Sequence, residues 1–367
     1  MQILAVDIGT GTQDVLLFDT DKQPVNALKL VMPSPTVLLA QAIRDATQAG
    51  QDLLLTGVTM GGGPCAWAAE DHLKAGRRVF ATPDAARTFN DDLEEVKASG
   101  VQIVDEDQAA GLPGTRHLVM RDLDYDALAR AFGAFGVDLD RADVLAVAVF
   151  DHGAAPPGVS DRLFRFEYLA ERIHDGLGLA GFAFPREAIP PSMTRLQAAA
   201  STAPAGRPVV AMDTAPAAVL GALEDPQVSS RQEAIVANVG NFHTLAFHLR
   251  RGAIAGLFEH HTGKLGQAQL EELLVRLAAG ALSNDEVFAD HGHGALIVDR
   301  TPAGSGVLWV AVTGPRRGLL AGSRLKPYLA VPHGDMMMAG CWGLVRACAQ
   351  HLPWTTEAIG GALRQGL

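Results

Sequence analysis

Two segments far apart in the chain share one pattern: an apolar run, a turn containing glycine, and a second apolar run. The first has apolar runs at 2–8 and 15–19 around GTGTQ, and the second is EAIVANVGNFHTLAFHL at 233–249. Apolar runs flanking such a turn are typical of β-hairpins. A hairpin that recurs in both halves indicates an ancient duplication, and so a fold with two related domains.

The remaining segments alternate between helical and extended periodicity, the pattern of an α/β protein. At 367 residues the chain exceeds one ordinary core, which also favours two domains. The predicted helices are 37–50, 64–75, 83–98, 124–135, 161–175, 214–225, 266–279 and 336–352. The predicted strands besides the hairpins are 52–60, 77–81, 100–104, 144–150, 209–213, 294–299 and 307–315.

The segment STAPAGRP at 201–208 is rich in small and helix-breaking residues, which makes it the best linker candidate. We therefore predict a first domain at 1–205 and a second at 206–335. Residues 336–367 are expected to form C-terminal helices that pack at the interface between the domains.

Composition narrows the class of protein. A net charge of −11 without Lys/Arg-rich runs speaks against nucleic-acid binding. No apolar run approaches the roughly 20 residues of a membrane span, so no membrane partner is expected. The start MQILAVDIG has no signal-peptide pattern, which predicts the cytoplasm. The sequence leaves the oligomeric state open.

A glycine and threonine turn brings several backbone N–H groups and hydroxyls close to one cluster of oxygen atoms. Two such turns facing each other could bind a polyphosphate from both sides. A purely structural turn would have the same sequence, so the order of the other motifs matters.

Five segments, in order, resemble the motifs of the actin-like ATPase (ASKHA) superfamily of actin, Hsp70 and sugar kinases. They are DIGTGT (Asp7, Gly9, Thr10, Gly11 and Thr12), DTAPAAVLGAL from Asp213, NVGNFHT (Asn238, Gly240, Asn241 and Thr244), AVTGPRRG (Gly314 and Gly318) and GDMMMAGCWGLV. The resemblance implies two actin-like, ribonuclease H-like domains with mixed sheets around a central nucleotide cleft. It also implies ATP and Mg²⁺, with phosphates at the two hairpins and adenosine at the Gly314 turn.

The chain departs from that superfamily at both hairpins. Asn238 stands where an aspartate helps to hold Mg²⁺, and Gln13 and Asp14 stand where a cation often faces the terminal phosphate. An acid 4 Å from a phosphate oxygen costs about 4 kcal/mol at an effective dielectric of 20. Either a metal has moved, with Asp7, Asp14 and Asp213 as its candidate ligands, or no terminal phosphate binds at this place. A third alternative is that Asp14 turns outward or bonds backbone amides of its own turn.

Asp151 and His152 follow the apolar strand 144–150, at the end where α/β sheets expose functional residues. By resemblance to kinases, Asp151 is a candidate general base with His152 assisting, and Asp213 a second candidate. A structural capping role for Asp151 remains an alternative.

The second half also carries two polar loops, EHHTGKL and DHGHG. Glu259, His260, His261, Asp290 and His293 are metal-binding residue types, so they form an alternative metal site. Hydrogen-bonded loop structure would explain the same residues.

The combination of DIGTGTQD, VFDHGAAPPG, DHGHG and HGDMMMAGCWG resembles an uncharacterised bacterial and archaeal family often labelled as a pyruvate formate-lyase activating enzyme. Such radical chemistry needs a closely spaced cysteine triplet for an iron–sulfur cluster. Cys65, Cys341 and Cys348 do not form one, and a disulfide framework is not predicted either.

Three functions follow from these patterns. The first is ATP binding with hydrolysis or phosphoryl transfer to a small molecule. The second is a nucleotide-regulated activation or assembly factor for a partner enzyme, with little turnover. The third is an enzyme that keeps the fold without ATP and uses the His/Asp/Glu loops for metal-assisted chemistry.

Overall fold

The computed structural model describes residues 1–156, 158–176, 178–303 and 308–365. Its strands are β1 (Gln2–Ile8), β2 (Thr12–Asp19), β3 (Leu28–Pro33), β4 (Leu53–Gly57), β5 (Val79–Ala81), β6 (Gln102–Ile103), β7 (Arg116–Met120), β8 (Val144–Val149), β9 (Ala183–Pro185), β10 (Val209–Asp213), β11 (Glu233–Val239), β12 (His243–Arg250), β13 (Ala253–His261), β14 (Gly294–Ile297), β15 (Val310–Thr313) and β16 (Tyr328–Leu329).

The α-helices are α1 (Pro35–Gln48), α2 (Pro64–Lys74), α3 (Pro83–Ala86), α4 (Leu93–Ala98), α5 (Glu106–Ala110), α6 (Tyr125–Gly133), α7 (Asp161–His174), α8 (Thr194–Ser201), α9 (Thr214–Ala222), α10 (Pro226–Ser229), α11 (Gln267–Ala278), α12 (Asn284–Ala289), α13 (Ala339–His351) and α14 (Thr356–Arg364). Short 3₁₀ turns lie at Pro24–Asn26, Leu139–Arg141, Gly178–Phe182, Arg186–Ala188, Thr262–Lys264, Arg317–Leu320, Pro332–Gly334, Met336–Met338 and Pro353–Thr355. Within the described ranges, no helix is both long and apolar enough to cross a bilayer.

The first sheet has the strand order β3-β2-β1-β8-β10-β9. Strands β1, β2 and β3 form an antiparallel meander, and β8 and β10 extend the sheet in parallel from the other side of β1. The sequence VLAVAV of β8 is buried throughout, as expected for a parallel strand covered on both faces.

The second sheet repeats this plan with the order β14-β13-β12-β11-β15-β16. Here β11, β12 and β13 form the antiparallel meander, and β15 and β16 run parallel beyond β11. The repeated topology confirms the predicted fold class of two actin-like domains with mixed sheets. Both predicted hairpins are present, as β1–β2 and β11–β12.

A third, four-stranded parallel sheet with the order β6-β5-β4-β7 is inserted between β3 and β8. It has its own core, with residues such as Ile43, Leu53 and Val79 fully buried. The sequence predicted β4, β5 and β6 but not β7, and it did not separate this sheet from the first domain. Local periodicity shows that a strand exists and not which sheet it joins.

Two predicted elements differ from the structure. The predicted helix 83–98 is two short helices, because the Asp92 side chain accepts a hydrogen bond from the backbone N–H of Glu94 and starts α4. The predicted strand 307–315 begins outside the described residues, and its described part is β15 (Val310–Thr313).

The strand that follows the predicted linker belongs to the first sheet, although the predicted domain boundary at 205 places it in the second domain. Strand β10 pairs in parallel with β8 and so belongs to the first sheet, whereas the next sheet begins at β11. The passage between the sheets therefore runs through α9 and α10. The last two residues of the predicted C-terminal unit, 366–367, lie outside the described ranges.

Helices α9 and α13 cross at glycines. A Cβ atom on Gly221 would lie 1.7 Å from the carbonyl oxygen of Ala339, and one on Gly343 would lie 1.9 Å from that of Ala217. Only glycine permits this backbone approach. The small-residue segments at 213–223 and 334–345 therefore pack against each other, which places the N-terminus of α13 beside β1.

Candidate active site

A cleft between the two sheets is lined by both hairpin turns, the loop after β15 and the start of α13. Nine residues predicted from the sequence line it: Asp7, Gly9, Thr10, Thr12, Asp14, Asn238, Gly240, Asn241 and Gly314. The cavity has a volume of about 100 Å³. Sites for drug-sized ligands enclose about 300–1,000 Å³, so a nucleotide would need the cleft to open.

The two hairpin turns are built in the same way. The backbone N–H of Gly9 donates to the carbonyl of Thr12, and that of Gly240 donates to the carbonyl of His243, each at 2.9 Å. A Cβ atom on Gly240 would lie 2.7 Å from that His243 oxygen, so a side chain does not fit there. The shared geometry explains why both turns need glycine at the corresponding position.

The tips of the turns touch across the cleft. A Cβ atom on Gly11 would lie 2.5 Å from Nδ2 of Asn241. The hairpins therefore face each other, and in this conformation they close the cleft from both sides.

Asp7 and Asp14 face each other at the floor of the cleft. They are direct partners in the antiparallel register of β1 and β2, so their side chains share one face of the sheet. Both are buried, and Oδ1 of Asp14 has no hydrogen-bond partner among the described residues. Asp14 thus turns toward the cleft rather than away from it.

Burial raises the pKa of both carboxyl groups. Desolvation raises the pKa of Asp7 to about 7, against a hydrogen bond from Thr214 and with the charge of Asp213 adding to the rise. Desolvation and the charge of Asp7 raise the pKa of Asp14 to about 8. Two facing carboxyl groups with raised pKa values create a strong local demand for a proton or a cation.

Helices α9 and α13 position Asp7. The hydroxyl of Thr214, at the start of α9, donates to Oδ1 of Asp7 at 2.5 Å. A Cβ atom on Gly340 would lie 1.8 Å from Oδ2 of Asp7, so the first turn of α13 rests against the carboxylate. Positive partial charge at a helix N-terminus favours an anion in this place.

Asp151 lies away from the cleft. Its Oδ1 accepts from the backbone N–H of Gly153 at 2.9 Å, and its Oδ2 accepts from that of Leu196 at 2.8 Å. Burial raises its pKa to about 6. With both oxygens bonded to backbone, Asp151 holds the loop after β8 against α8.

Both carboxylate oxygens of Asp213 also accept hydrogen bonds within the protein. Its Oδ2 accepts from Nη1 of Arg165 at 2.6 Å, and its Oδ1 accepts from the backbone N–H of Ala215, at the start of α9. Nε of Arg165 binds Oε2 of Glu259 at 2.7 Å, and all three side chains are buried. Arg165 therefore joins a carboxylate of the first sheet to one of the second.

Four other predicted phosphate or adenosine residues lie outside the cleft lining, and the first of them, Gly11, meets Asn241 at the tips of the turns. Gln13 donates to the carbonyl of Pro33 on β3, and Thr244 is buried against the hydroxyl of Thr262. Gly318 lies within the 3₁₀ turn Arg317–Leu320, beyond the lining residue Gly314.

The predicted alternative metal residues fall into two groups. His260 bonds the carbonyl of Asp290 through Nε2 at 2.9 Å, on the opposite face of β13 from its neighbours. Glu259 and His261 face the other way, toward His293, because side chains alternate along a strand. His152 and His243 also reach His293.

Several residues of the site were not predicted. Thr214 and Phe150 line the cleft, and so does Arg195, which forms a bidentate pair with the buried Asp122 at 2.7 and 3.0 Å. Asp335, just before α13, adds its charge to the environment of Asp14. Thr214, Phe150 and Asp335 lie within the segments DTAPAAVLGAL, VFDHGAAPPG and GDMMMAGCWGLV, but the resemblance of those segments assigns these three residues no role. Arg195 lies in none of the segments and is brought to the cleft by packing.

An iron–sulfur cluster does not fit this chain. Cys65 is buried in α2 of the inserted sheet, whereas Cys341 and Cys348 are buried in α13. Burial raises the pKa of Cys65 to about 11 and that of Cys348 to about 12, which disfavours the thiolate needed for ligation. The three thiols act as small buried apolar side chains.

A family model described as "Putative pyruvate format-lyase activating enzyme (DUF1786)" matches residues 60–319, more than half of the chain. The chain belongs to this DUF1786 family. The match includes β8, the second hairpin and both polar loops, while the first hairpin and α13 lie outside it. The buried, separated cysteines of this DUF1786 member do not support the radical chemistry in the family's description.

Solved structures with a similar fold include an inorganic polyphosphate/ATP-glucomannokinase from Arthrobacter sp. strain KM, at 13% identity and a TM-score of 0.37, covering 95% of this chain and 99% of that one. The ethanolamine utilization protein EutJ from Carboxydothermus hydrogenoformans matches at 12% identity with a TM-score of 0.30, and the match covers 94% of this chain and 89% of that one. A ROK hexokinase from Thermus thermophilus matches at 14% identity with a TM-score of 0.27, and the match covers 95% of this chain and 98% of that one. Likenesses this distant carry no conclusion about ligands or activity. Among curated proteins, none matches the sequence.

Proposed function

We propose that the cleft binds ATP with Mg²⁺ and supports hydrolysis of ATP or transfer of its terminal phosphoryl group to a small molecule. The observation that carries this proposal is the meeting of two equivalent glycine turns, at Gly9–Thr12 and Gly240–His243, across a cleft with two facing carboxyl groups.

The glycine turns supply the groups that a phosphate chain needs. Once the cleft opens, each turn would let a ligand approach backbone N–H groups, and Thr10 and Thr12 would add hydroxyl donors in the first turn. Gly314, with its positive φ of 97°, lines the cleft beside Asn238, and we assign the base to this turn because AVTGPRRG resembles an adenosine-binding turn. Backbone donors of this kind need no charged side chain to bind phosphate oxygens.

The acids of the cleft fit a hard cation. Asp7 and Asp14 offer carboxylate oxygens, the ligands that Mg²⁺ prefers, and Asp14 has an oxygen without a partner among the described residues. When bound, Mg²⁺ would offset the charge of the phosphates. Asn238 in the second hairpin would then accept only a water hydrogen bond, and the cation would be held at the first hairpin.

Catalysis by this chain would consist of positioning and charge compensation. Arg195 is held by Asp122 at the cleft wall, while Asp7 and Asp14 hold protons near neutral pH when no cation is present. The geometry of Asp151 favours a structural role in place of the general-base role suggested by its position after β8.

Calorimetry and phosphate release test the proposal. We expect the full chain to bind ATP when Mg²⁺ is present, and to release phosphate or transfer it when an acceptor is supplied. Absence of nucleotide binding with and without Mg²⁺ would contradict the proposal. We also propose the cytoplasm as the compartment, because the three cysteines are unpaired thiols.

The closed cleft favours a second candidate, a nucleotide-regulated factor that changes shape to act on a partner enzyme. A cavity of about 100 Å³ and the contact of Gly11 with Asn241 imply that nucleotide entry separates the two domains. Tight ATP binding without steady phosphate release would favour this candidate over an enzyme.

A further inference from the structure

Three histidines from separate loops bring their rings together beside the cleft. His152 follows β8 of the first sheet, His243 begins β12 in the second hairpin, and His293 precedes β14. One nitrogen atom of each lies within 4.8 Å of those of the other two. The cluster thus spans the junction between the two sheets.

Neighbouring rings fix the arrangement. The rings of His243 and His293 are 4.9 Å apart and nearly perpendicular, and those of His152 and His293 are stacked at 6.0 Å. Phe150 stacks on His243 at 4.1 Å, and His261 packs against His293 at 4.6 Å. Aromatic packing therefore supports the three rings from the sides and keeps one nitrogen of each close to those of the other two.

We propose that His152, His243 and His293 bind one divalent transition-metal ion of the Zn²⁺ class. Imidazole nitrogens suit Zn²⁺ and related ions, whereas Mg²⁺ prefers oxygen ligands. Three protein ligands also leave a fourth position for water or a substrate atom, as catalytic zinc sites do. This site is separate from the Mg²⁺ proposed at Asp7 and Asp14.

A buried carboxylate is placed to orient one ligand. Oε1 of Glu259 and Nδ1 of His293 lie 3.7 Å apart, and neither has a hydrogen-bond partner among the described residues. Arg165 holds the other oxygen of Glu259 at 2.7 Å. A small approach would let Nδ1 of His293 donate to Glu259 and present its other nitrogen to the ion, the usual support for a metal-binding histidine.

The distances are close to those of a loaded site. Tetrahedral ligation at about 2.0–2.1 Å places ligand nitrogens about 3.3 Å apart, so the present cluster would contract by side-chain shifts of about 1 Å. Because His152 belongs to the first domain and His243 and His293 to the second, a bound ion would link the two. Since His243 also lines the cleft, the open position of the ion would face the expected place of phosphate or acceptor.

The test is metal binding by the chelator-treated full chain in the absence of nucleotide, so that it is independent of ATP. We expect one Zn²⁺ per chain by calorimetry, a four-coordinate visible spectrum with Co²⁺, and three imidazole nitrogens by X-ray absorption of the Zn²⁺ form. His152→Ala, His243→Ala and His293→Ala should each weaken binding at least tenfold.

Two variants serve as controls. Asp290→Asn changes an exposed residue of the polar loop that lies outside the cluster, and His117→Ala removes an exposed histidine of the inserted sheet. Both should bind Zn²⁺ like the wild type. Stoichiometric binding that survives all three cluster variants, or wild-type X-ray absorption with fewer than three imidazole nitrogens, would overturn the proposal. The wild-type spectrum decides even if a variant fails to fold.

Discussion

Asp7 and Asp14 are direct partners across β1 and β2, and their carboxyl groups face each other at the floor of the cleft between the two hairpins. This pairing is unfavourable for a bound phosphate unless a cation or protons neutralise it. It therefore links the fold, the choice of metal and the effect of pH.

Asp14→Asn should strengthen ATP binding when Mg²⁺ is absent and weaken it when Mg²⁺ is present. At pH 9 without Mg²⁺, where Asp14 with its pKa of about 8 is ionised, the variant loses a repulsion of about 4 kcal/mol at 4 Å and an effective dielectric of 20, so ATP should bind on the order of 10³-fold more tightly. With Mg²⁺, the variant loses a ligand for the ion, so binding should weaken.

Calorimetry at both conditions measures this reversal. Asp21→Asn is the matched control, because it removes one acid from the exposed turn at the opposite end of the same hairpin. It should leave both affinities unchanged. Two results would argue against a cation at Asp14. One is an equal change of ATP affinity in Asp21→Asn, and the other is an ATP affinity that Asp14→Asn changes in the same direction with and without Mg²⁺.

The free energy of unfolding of the metal-free protein should fall as pH rises from 7 to 8.5. Asp7 and Asp14 have folded-state pKa values of about 7 and 8, well above an unfolded value near 3.9, so in this window the folded chain binds more protons than the unfolded chain. Glu259, with a pKa of about 7, acts in the same direction. Burial lowers the folded-state pKa values of His152, His243 and His293, whereas unfolded histidines have a pKa near 6.5, so these groups favour the opposite trend up to about pH 7.5.

Urea unfolding in the presence of a chelator measures this slope. Asp14→Asn should make it shallower by up to about 1.4 kcal/mol per pH unit. A free energy of unfolding that stays constant or rises over this window would show that the pair is already ionised.

Gly221→Ala should destabilise the fold because its methyl group would meet the backbone of α13 at 1.7 Å. Overpacking of this kind typically costs about 1–3 kcal/mol, and a backbone atom cannot move as a side chain can. Gly361→Ala in α14 is the control, since nothing lies within 4 Å of its added Cβ atom. Gly361→Ala should stabilise the protein by about 0.5–1 kcal/mol, because alanine has the higher helix propensity. Equal thermal midpoints for the two variants would contradict the close crossing of α9 and α13.

Arg165→Met should be among the most damaging single changes. It leaves Asp213 and Glu259 buried without their shared partner, and breaking such a buried pair costs about 3–5 kcal/mol. Arg78→Met breaks an exposed pair with Asp52 and should have little effect. Thermal unfolding of both variants makes the comparison, and similar midpoints would mean that the Arg165 network contributes no stability.

The sequence predicted those features that local patterns encode. The hairpins were predictable because apolar runs flank their glycine-containing turns. Helices α9 and α13 were predictable because their segments are unusually rich in small residues, and Gly221 and Gly343 among these residues lie where the helices cross. Glycines at 240, 314 and 340 mark close approaches that leave no room for a side chain, and a Cβ atom at Gly9 would make a tight contact of 3.2 Å with the carbonyl oxygen of Thr12.

What depends on tertiary contact was not predictable. The inserted sheet at 53–120 has the same α/β periodicity as the domain that contains it. His152, His243 and His293 meet only because β8, β12 and β14 are brought together by the two sheets. Asp151 follows a strand as a catalytic acid would, but its two backbone hydrogen bonds are visible only in three dimensions.

The most direct test is a crystal structure of the full chain with Mn²⁺ and a nonhydrolysable ATP analogue. We expect phosphate density between the turns at 9–12 and 240–243, the analogue's base near Gly314, and an anomalous Mn²⁺ peak beside Asp7 and Asp14. An empty cleft under conditions where the analogue is present at saturating concentration, or an Mn²⁺ peak only at the histidine cluster, would contradict the account.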